Sequence, residues 1–133
     1  GGGGGEGEEE KGVGGGEGGA GHGYAEDGVR APGGTRPSGL YANAEVLVAQ
    51  GRLRQSRPDE GIPHAGRALA VDRQIANRQG EAISLLVLAQ CCREAGRRGE
   101  AEGHARDCLA LNQSMGDEGG AKKAQWLLDN LPD

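Results

Sequence analysis

The chain repeats itself at a spacing of forty residues, and that period constrains its fold more than any other feature. Laid over residues 81–120, residues 41–80 pair Ala42 with Ala82, Ala49-Gln50 with Ala89-Gln90, Arg57 with Arg97 and Glu60 with Glu100. The register continues through His64-Ala65 with His104-Ala105, Leu69-Ala70 with Leu109-Ala110, and Gly80 with Gly120. Conservative pairs fill the gaps: Val48 with Leu88, Val71 with Leu111, Asp72 with Asn112, and Asn77 with Asp117. A fixed period between about twenty and fifty residues marks stacked supersecondary units, none of which can hide its apolar face alone.

The material for a core is confined to part of the chain. Of its 28 glycines, 18 fall in residues 1–39, a stretch with almost no bulky apolar side chains. Glycine loses the most backbone freedom on folding, and here there is little to bury in return. Residues 1–40 are therefore expected to be a disordered Gly/Glu-rich tail, and residues 41–132 the folded domain. The glycine run Gly12-Val13-Gly14-Gly15-Gly16 lacks a preceding strand, a following helix and a Lys-Ser or Lys-Thr pair, so it does not read as a phosphate loop.

Charge and length narrow the partners. The net charge of −5 is uneven, since residues 1–39 carry seven acidic and three basic side chains. Nucleic-acid binding calls for a clustered basic stripe, often with aromatic platforms; after the tail only Tyr41 and Trp126 are aromatic. The longest nearly apolar run, Ile83 to Ala89, is far too short to span a bilayer. The expectation is a protein that binds neither nucleic acid, membrane nor a small-molecule substrate, located in the cytoplasm. The absence of an initial Met suggests a fragment.

From Tyr41 onward the apolar period is helical. Leu85, Leu88, Ala89 and Cys92 share one face of a helix from about Gly80 to Ala95, ended by Gly96. Ala101, Ala105, Cys108 and Leu109 share a face of a second helix, Arg98 to Met115, closed by Gly116-Asp117. So short a connection makes the two an antiparallel hairpin. In the earlier unit, Val48, Ala49 and Leu53 mark a helix from Ala44 to Gln55. Pro58-Asp59-Glu60 opens the next, with Pro63 expected to delay or distort its first turn. After Gly120, the residues Ala121, Ala124, Leu127, Leu128 and Leu131 mark a capping helix that stops at Pro132, in either of two registers one residue apart.

The string Leu85-x-x-Leu88-Ala89-x-x-Cys92, then Gly96, Glu100-Ala101, Ala105 and Cys108-Leu109, resembles a tetratricopeptide repeat. The forty-residue spacing, longer than the usual period of about thirty-four, resembles the variety in kinesin light chain-like and G-protein-modulator-like scaffolds. The resemblance covers residues 42 to 131, with Glu45, Arg52 and Gly61 departing from its preferences in the first unit. It implies an all-α, right-handed stack of antiparallel helical hairpins, about two repeats and a cap, acting as a non-catalytic scaffold for a peptide or partner protein. It also admits a regulatory or sensor segment of a larger signalling ATPase.

In such a stack the first helices of successive hairpins line a concave groove. Asn43, Val46, Gln50 and Arg54 of the first unit, with Ile83, Leu86, Gln90, Arg93 and Glu94 of the second, are then expected to face it. Amides can bond a peptide backbone while Val46 and Leu86 receive its side chains. Leu86 and Gln90 stand where a carboxylate clamp would want Lys and Asn, so the resemblance does not extend to a receptor for chaperone tails.

Chemistry-bearing residues offer less. His64 and His104 are repeat equivalents about 10 Å or more apart, too far to share a metal, and read as partly exposed surface histidines. Three cysteines without a C-x-x-C spacing fit neither a disulfide framework nor a zinc site; Cys92 and Cys108 fall on apolar stripes as small hydrophobes. Ser84 and Ser114 show no neighbouring base, and Glu100 and Glu102 read as charges in a first helical turn. No catalytic residue, metal or cofactor is expected.

Overall fold

The computed structural model describes residues 38–132; residues 1–37 of the expected tail, with the Gly12–Gly16 run, lie outside them, whereas Ser38, Gly39 and Leu40, expected in the tail, cap and open the first helix. Five helices follow in order: α1 (Gly39–Arg54), α2 (Pro58–Gln74), α3 (Arg78–Glu94), α4 (Arg98–Met115) and α5 (Glu118–Asp129). Helices α2 to α5 begin at positions 58, 78, 98 and 118, so the forty-residue period is halved in the backbone. The turns are alike. Ser56, Ala76, Gly96 and Gly116 all adopt a left-handed conformation, with φ between 58° and 78°. The next amide reaches back to the helix it leaves: Arg57 to Arg52, Asn77 to Asp72, Arg97 to Cys92 and Asp117 to Asn112, at 2.8–2.9 Å. Such reversals satisfy carbonyls that the helix end would otherwise leave unpaired.

Helix starts alternate in kind. Ser38 Oγ accepts from the Tyr41 amide, Asn77 Oδ1 from Gly80 and Asp117 Oδ1 from Gly120, at 2.9–3.1 Å, so α1, α3 and α5 carry side-chain caps. Helices α2 and α4 begin after Arg57 and Arg97, which pair instead with Glu60 and Glu100. Caps also explain why the odd helices start before their apolar stripes do: α1 begins at Gly39 rather than Ala44, and α3 at Arg78 rather than Gly80.

Each helix packs on the next, α1 also packs on α3, and α3 on α5, whereas the backbones of α2 and α4 do not come close to each other among the described residues. The odd helices therefore form one layer and the even helices the other. Connections of two or three residues make neighbours antiparallel. Between the layers lie Leu69, Val71, Leu85, Val87, Leu88, Cys91, Cys92 and Cys108, all fully buried. Burying each leucine contributes about 1.5–3 kcal/mol. Ala49, Ala65, Ala68, Ala89 and Ala105 are completely enclosed where helices touch. The last helix settles its register by burying Ala124 and Leu127.

One expectation is corrected and one departure from the repeat is explained. Pro63 neither delays nor splits its helix, because α2 runs unbroken from Pro58. A proline there removes the bond to the Asp59 carbonyl, but Pro63 and Asp59 are exposed to water while Gly61, Ile62 and Ala65 hold the turn to the core. Gly61, which stands where the repeat prefers Ala, is required by closeness: a Cβ there would meet Cys91 Sγ at 2.9 Å and the Ala49 carbonyl at 3.0 Å.

Candidate functional site

The layer of odd helices carries two cavities that are copies of one another. The first, about 220 Å³, lies between α1 and α3 and is lined by Ala42, Asn43, Val46, Asp72, Gly80 and Ile83 among others. Moving each of these forward by forty gives Ala82, Ile83, Leu86, Asn112, Gly120 and Lys123, all of which line the second, about 240 Å³, between α3 and α5. Repeat periodicity thus reaches beyond the core to recesses on its surface.

One buried device builds both floors. Asp72 and Asn112, 2% and 4% exposed, sit near the C-terminal ends of α2 and α4. A Cβ at Gly80 would meet Asp72 Oδ1 at 2.5 Å, and one at Gly120 would meet Asn112 Oδ1 at 2.3 Å. The paired glycines therefore let the next helix approach these side chains. Asp72 accepts from Ser84 Oγ at 2.9 Å and from Asn77 Nδ2 at 3.4 Å. Asn112 donates instead to the Cys108 carbonyl at 2.9 Å. Burial raises the Asp72 carboxyl above the usual carboxylate range, Ser84 and Asn77 lower it, and Glu81 nearby adds to the rise.

The groove residues expected from the sequence divide by location. Asn43 and Ile83 line the first cavity, and Ile83 and Leu86 the second. Gln50 and Gln90 are half-buried further along the same helices, and Arg54 is exposed. Val46 is 5% exposed, belonging to the core and forming the floor of the first cavity. Arg93 is occupied: it donates to the Asn130 carbonyl at 2.7 Å, pairs with Glu94, and lies 5.1 Å above the Trp126 ring. Arg93 ties α3 to α5, and Glu94 neutralises it. Sequence reasoning missed Asp72, Asn77, Gln79 and Lys123 as lining residues, although the pairs Asp72/Asn112, Asn77/Asp117 and Gly80/Gly120 were visible in the repeat.

Reactive groups are held in unreactive settings. Ser84 is wholly buried and, contrary to the sequence reading, does have a carboxylate partner in Asp72. Its hydroxyl is committed to that carboxylate at the wall of the first cavity. Ser114 donates to the Leu111 carbonyl and accepts from Arg78. Burial pushes the thiols of Cys91, Cys92 and Cys108 up to about 11, 12 and 11, with Glu100 adding to the rise at Cys92. At neutral pH they remain protonated and poorly nucleophilic. Cys91, which had no assigned place on a stripe, is as buried as the other two.

Of the two histidines expected to be partly exposed, His64 is so and His104 is not. His104 is only 5% exposed, because α4 is covered by α3 on one side and α5 on the other, which widens its buried face beyond the alanine stripe. His64 is half-buried with Nδ1 2.6 Å from Glu45 Oε1, while Arg67 Nε donates to Glu45 Oε2 at 2.9 Å. Arg67 Nη2 also lies 2.9 Å from His64 Nδ1, so the three side chains form one cluster. Burial raises the Glu45 carboxyl, but His64 and Arg67 outweigh it and hold it at about 2. Among the described residues, no three His, Cys, Asp or Glu side chains converge as a group able to hold a metal. No described helix is long and apolar enough to cross a membrane.

Comparison with known proteins adds one match. A family model described as Tetratricopeptide repeat matches residues 40–114, without distinguishing the kinesin light chain-like or G-protein-modulator-like subtype. No curated protein and no solved structure matches the chain significantly.

Proposed function

The chain belongs to the tetratricopeptide-repeat family, and from that premise we propose that it is a non-catalytic scaffold in the cytoplasm that holds an extended segment of a partner protein. Repeats of this family are generally protein-interaction modules. The seat is the face formed by α1, α3 and α5. The observation that carries this reading is the pair of recesses forty residues apart, since equivalent recesses suit a ligand that is itself periodic. A peptide in extended conformation is such a ligand, its side chains recurring at fixed intervals along a backbone of bonding groups. Asn43, Gln50 and Gln90 offer amides to that backbone, while Ile83 and Leu86 offer apolar contact.

A pull-down tests it. The intact chain is compared with Gln50→Ala plus Gln90→Ala, and with the control Gln74→Ala plus Gln113→Ala on the outer helices. Loss of partners only in the first double variant is the expected outcome. Equal recovery of every partner by all three proteins removes the case for the face.

A further inference from the structure

The two recesses share a shape but not a charge, and we infer that the first is a socket for a lysine side chain of the bound segment while the second takes an apolar one. This rests on the reading of the odd-helix face as a peptide seat, and gives that peptide a chemistry.

The argument begins with Asp72. Its carboxylate lines the first recess, and its hydrogen-bond partners among the described residues are neutral, the Ser84 hydroxyl and the Asn77 amide. A buried carboxylate without a counter-cation is costly to keep. Packing does not demand one, because the next repeat fills the same place with neutral Asn112, and Ala124 replaces the Ser84 hydroxyl. The rims change too: neutral Asn77 of the first recess stands where the second has Asp117, an acid offset there by Lys123. Amide-bearing Asn43 stands where the second recess has Ile83, and apolar Ile83 stands where the second has Lys123. The first recess therefore has an acidic floor and no lining cation, whereas in the second the charges of Asp117 and Lys123 cancel over a mainly apolar lining, which offers a basic side chain no net attraction.

Geometry favours lysine over arginine. Ser84 already occupies Asp72 Oδ2 at 2.9 Å, while Oδ1 has only the long 3.4 Å contact from Asn77. A guanidinium binds best as a fork to both oxygens, whereas an ammonium is a point charge satisfied by one oxygen plus the carbonyls of neighbouring amides such as Asn43 and Gln79. Recesses on neighbouring packed helices lie about 10 Å apart. That is the reach of about three residues of an extended polyproline II chain, whose three-residue period returns side chains i and i+3 to the same side. The fitting segment carries a lysine three positions from a large aliphatic residue.

The test titrates the chain with the capped peptide acetyl-Gly-Ala-Lys-Ala-Ala-Leu-Ala-Gly-amide and with the same peptide carrying norleucine in place of lysine. Heat of binding gives the affinities, and amide shifts in labelled protein report the location. The lysine peptide should bind at least tenfold more tightly than the norleucine one, with shifts at Asp72, Ser84 and Gly80. Asp72→Asn, which borrows the residue of the second repeat, should erase that preference while a thermal melt shows the fold retained. Equal affinity of the unaltered chain for both peptides overturns the socket, and that comparison needs no variant to fold. Equal binding with shifts along α1 and α3 leaves the peptide seat standing. Failure of both peptides to bind overturns the socket as well, and the pull-down above then decides the seat independently.

Discussion

The first hairpin, α1 with α2, and the second, α3 with α4, have the same backbone but are held by different chemistry. At the position where Leu85 is wholly buried in the second, the first has Glu45, tied to His64 and Arg67 from the facing helix. The turns ending α1 and α2 place Ser56 and Ala76 in the left-handed conformation, whereas those ending α3 and α4 use Gly96 and Gly116. A side chain in that conformation costs about 1–2 kcal/mol, which glycine avoids. Identical topology is thus reached through ion pairing and strained turns in one repeat, and through apolar contact and relaxed turns in the other. The forty-residue repeat specifies where helices meet, and leaves open how each meeting is made favourable.

Overpacking should break the shared architecture most completely. Ala101 is 1% exposed against α3, so Ala101→Phe should cost about 1–3 kcal/mol or more and abolish the cooperative helix melt measured by circular dichroism. An unchanged melt would contradict the close approach of α3 and α4.

Acid should separate the two hairpins. Glu45 titrates at about 2 rather than its ordinary 4.5, so its folded-state value is depressed. The stability this supplies, about 3 kcal/mol, is fully present above pH 4.5 and drains away as pH falls towards 2. Urea midpoints should decline over that window in the intact chain and be flatter in Glu45→Gln, which starts lower at pH 7. Parallel curves would show that the Glu45 cluster contributes no such dependence.

Exchanging turn residues should sharpen the contrast. Ser56→Gly and Ala76→Gly each relieve a left-handed side chain and should raise stability by up to about 1 kcal/mol, the added freedom of glycine in the unfolded chain offsetting part of the gain. Gly96→Ala and Gly116→Ala should lower it by about 1 kcal/mol. Chemical denaturation of the four variants reads both signs.

The smallest effect is expected at the end of the stack. Arg93→Ala removes the guanidinium over Trp126 and its bond to Asn130, and should loosen α5 by about 0.5–1 kcal/mol. Faster amide exchange in α5, with α1 to α4 unaltered, is the measurement.

Helix order, the hairpin of α3 and α4, and the small residues between helices were legible because burial imposes a helical period on the residues that pack. Helix starts were less so, since caps such as Asn77 lie outside the apolar stripe and obey hydrogen bonding instead. Pro63 misled because a proline is read as a local breaker, whereas two buried faces around it hold the helix together. Of the candidate groove, Asn43, Ile83 and Leu86 line the recesses. Val46 fell into the floor and Arg93 into a strut to α5, because the angle around a helix does not reveal how deep the next helix sits. Asp72 was visible only as one half of a conservative pair; that its carboxylate faces a cavity is a fact of three-dimensional arrangement.

The alternating helix starts carry a consequence for editing the array. Because α2 to α5 begin at twenty-residue steps but only the odd ones own a capping side chain, a graft of twenty residues would keep every boundary in step while exchanging inside for outside from that point on. The layer of odd helices would then be supplied by segments built for the even one. Modules can be added or removed without scrambling the scaffold only in whole pairs, so the smallest heritable unit of this architecture is two helices rather than one.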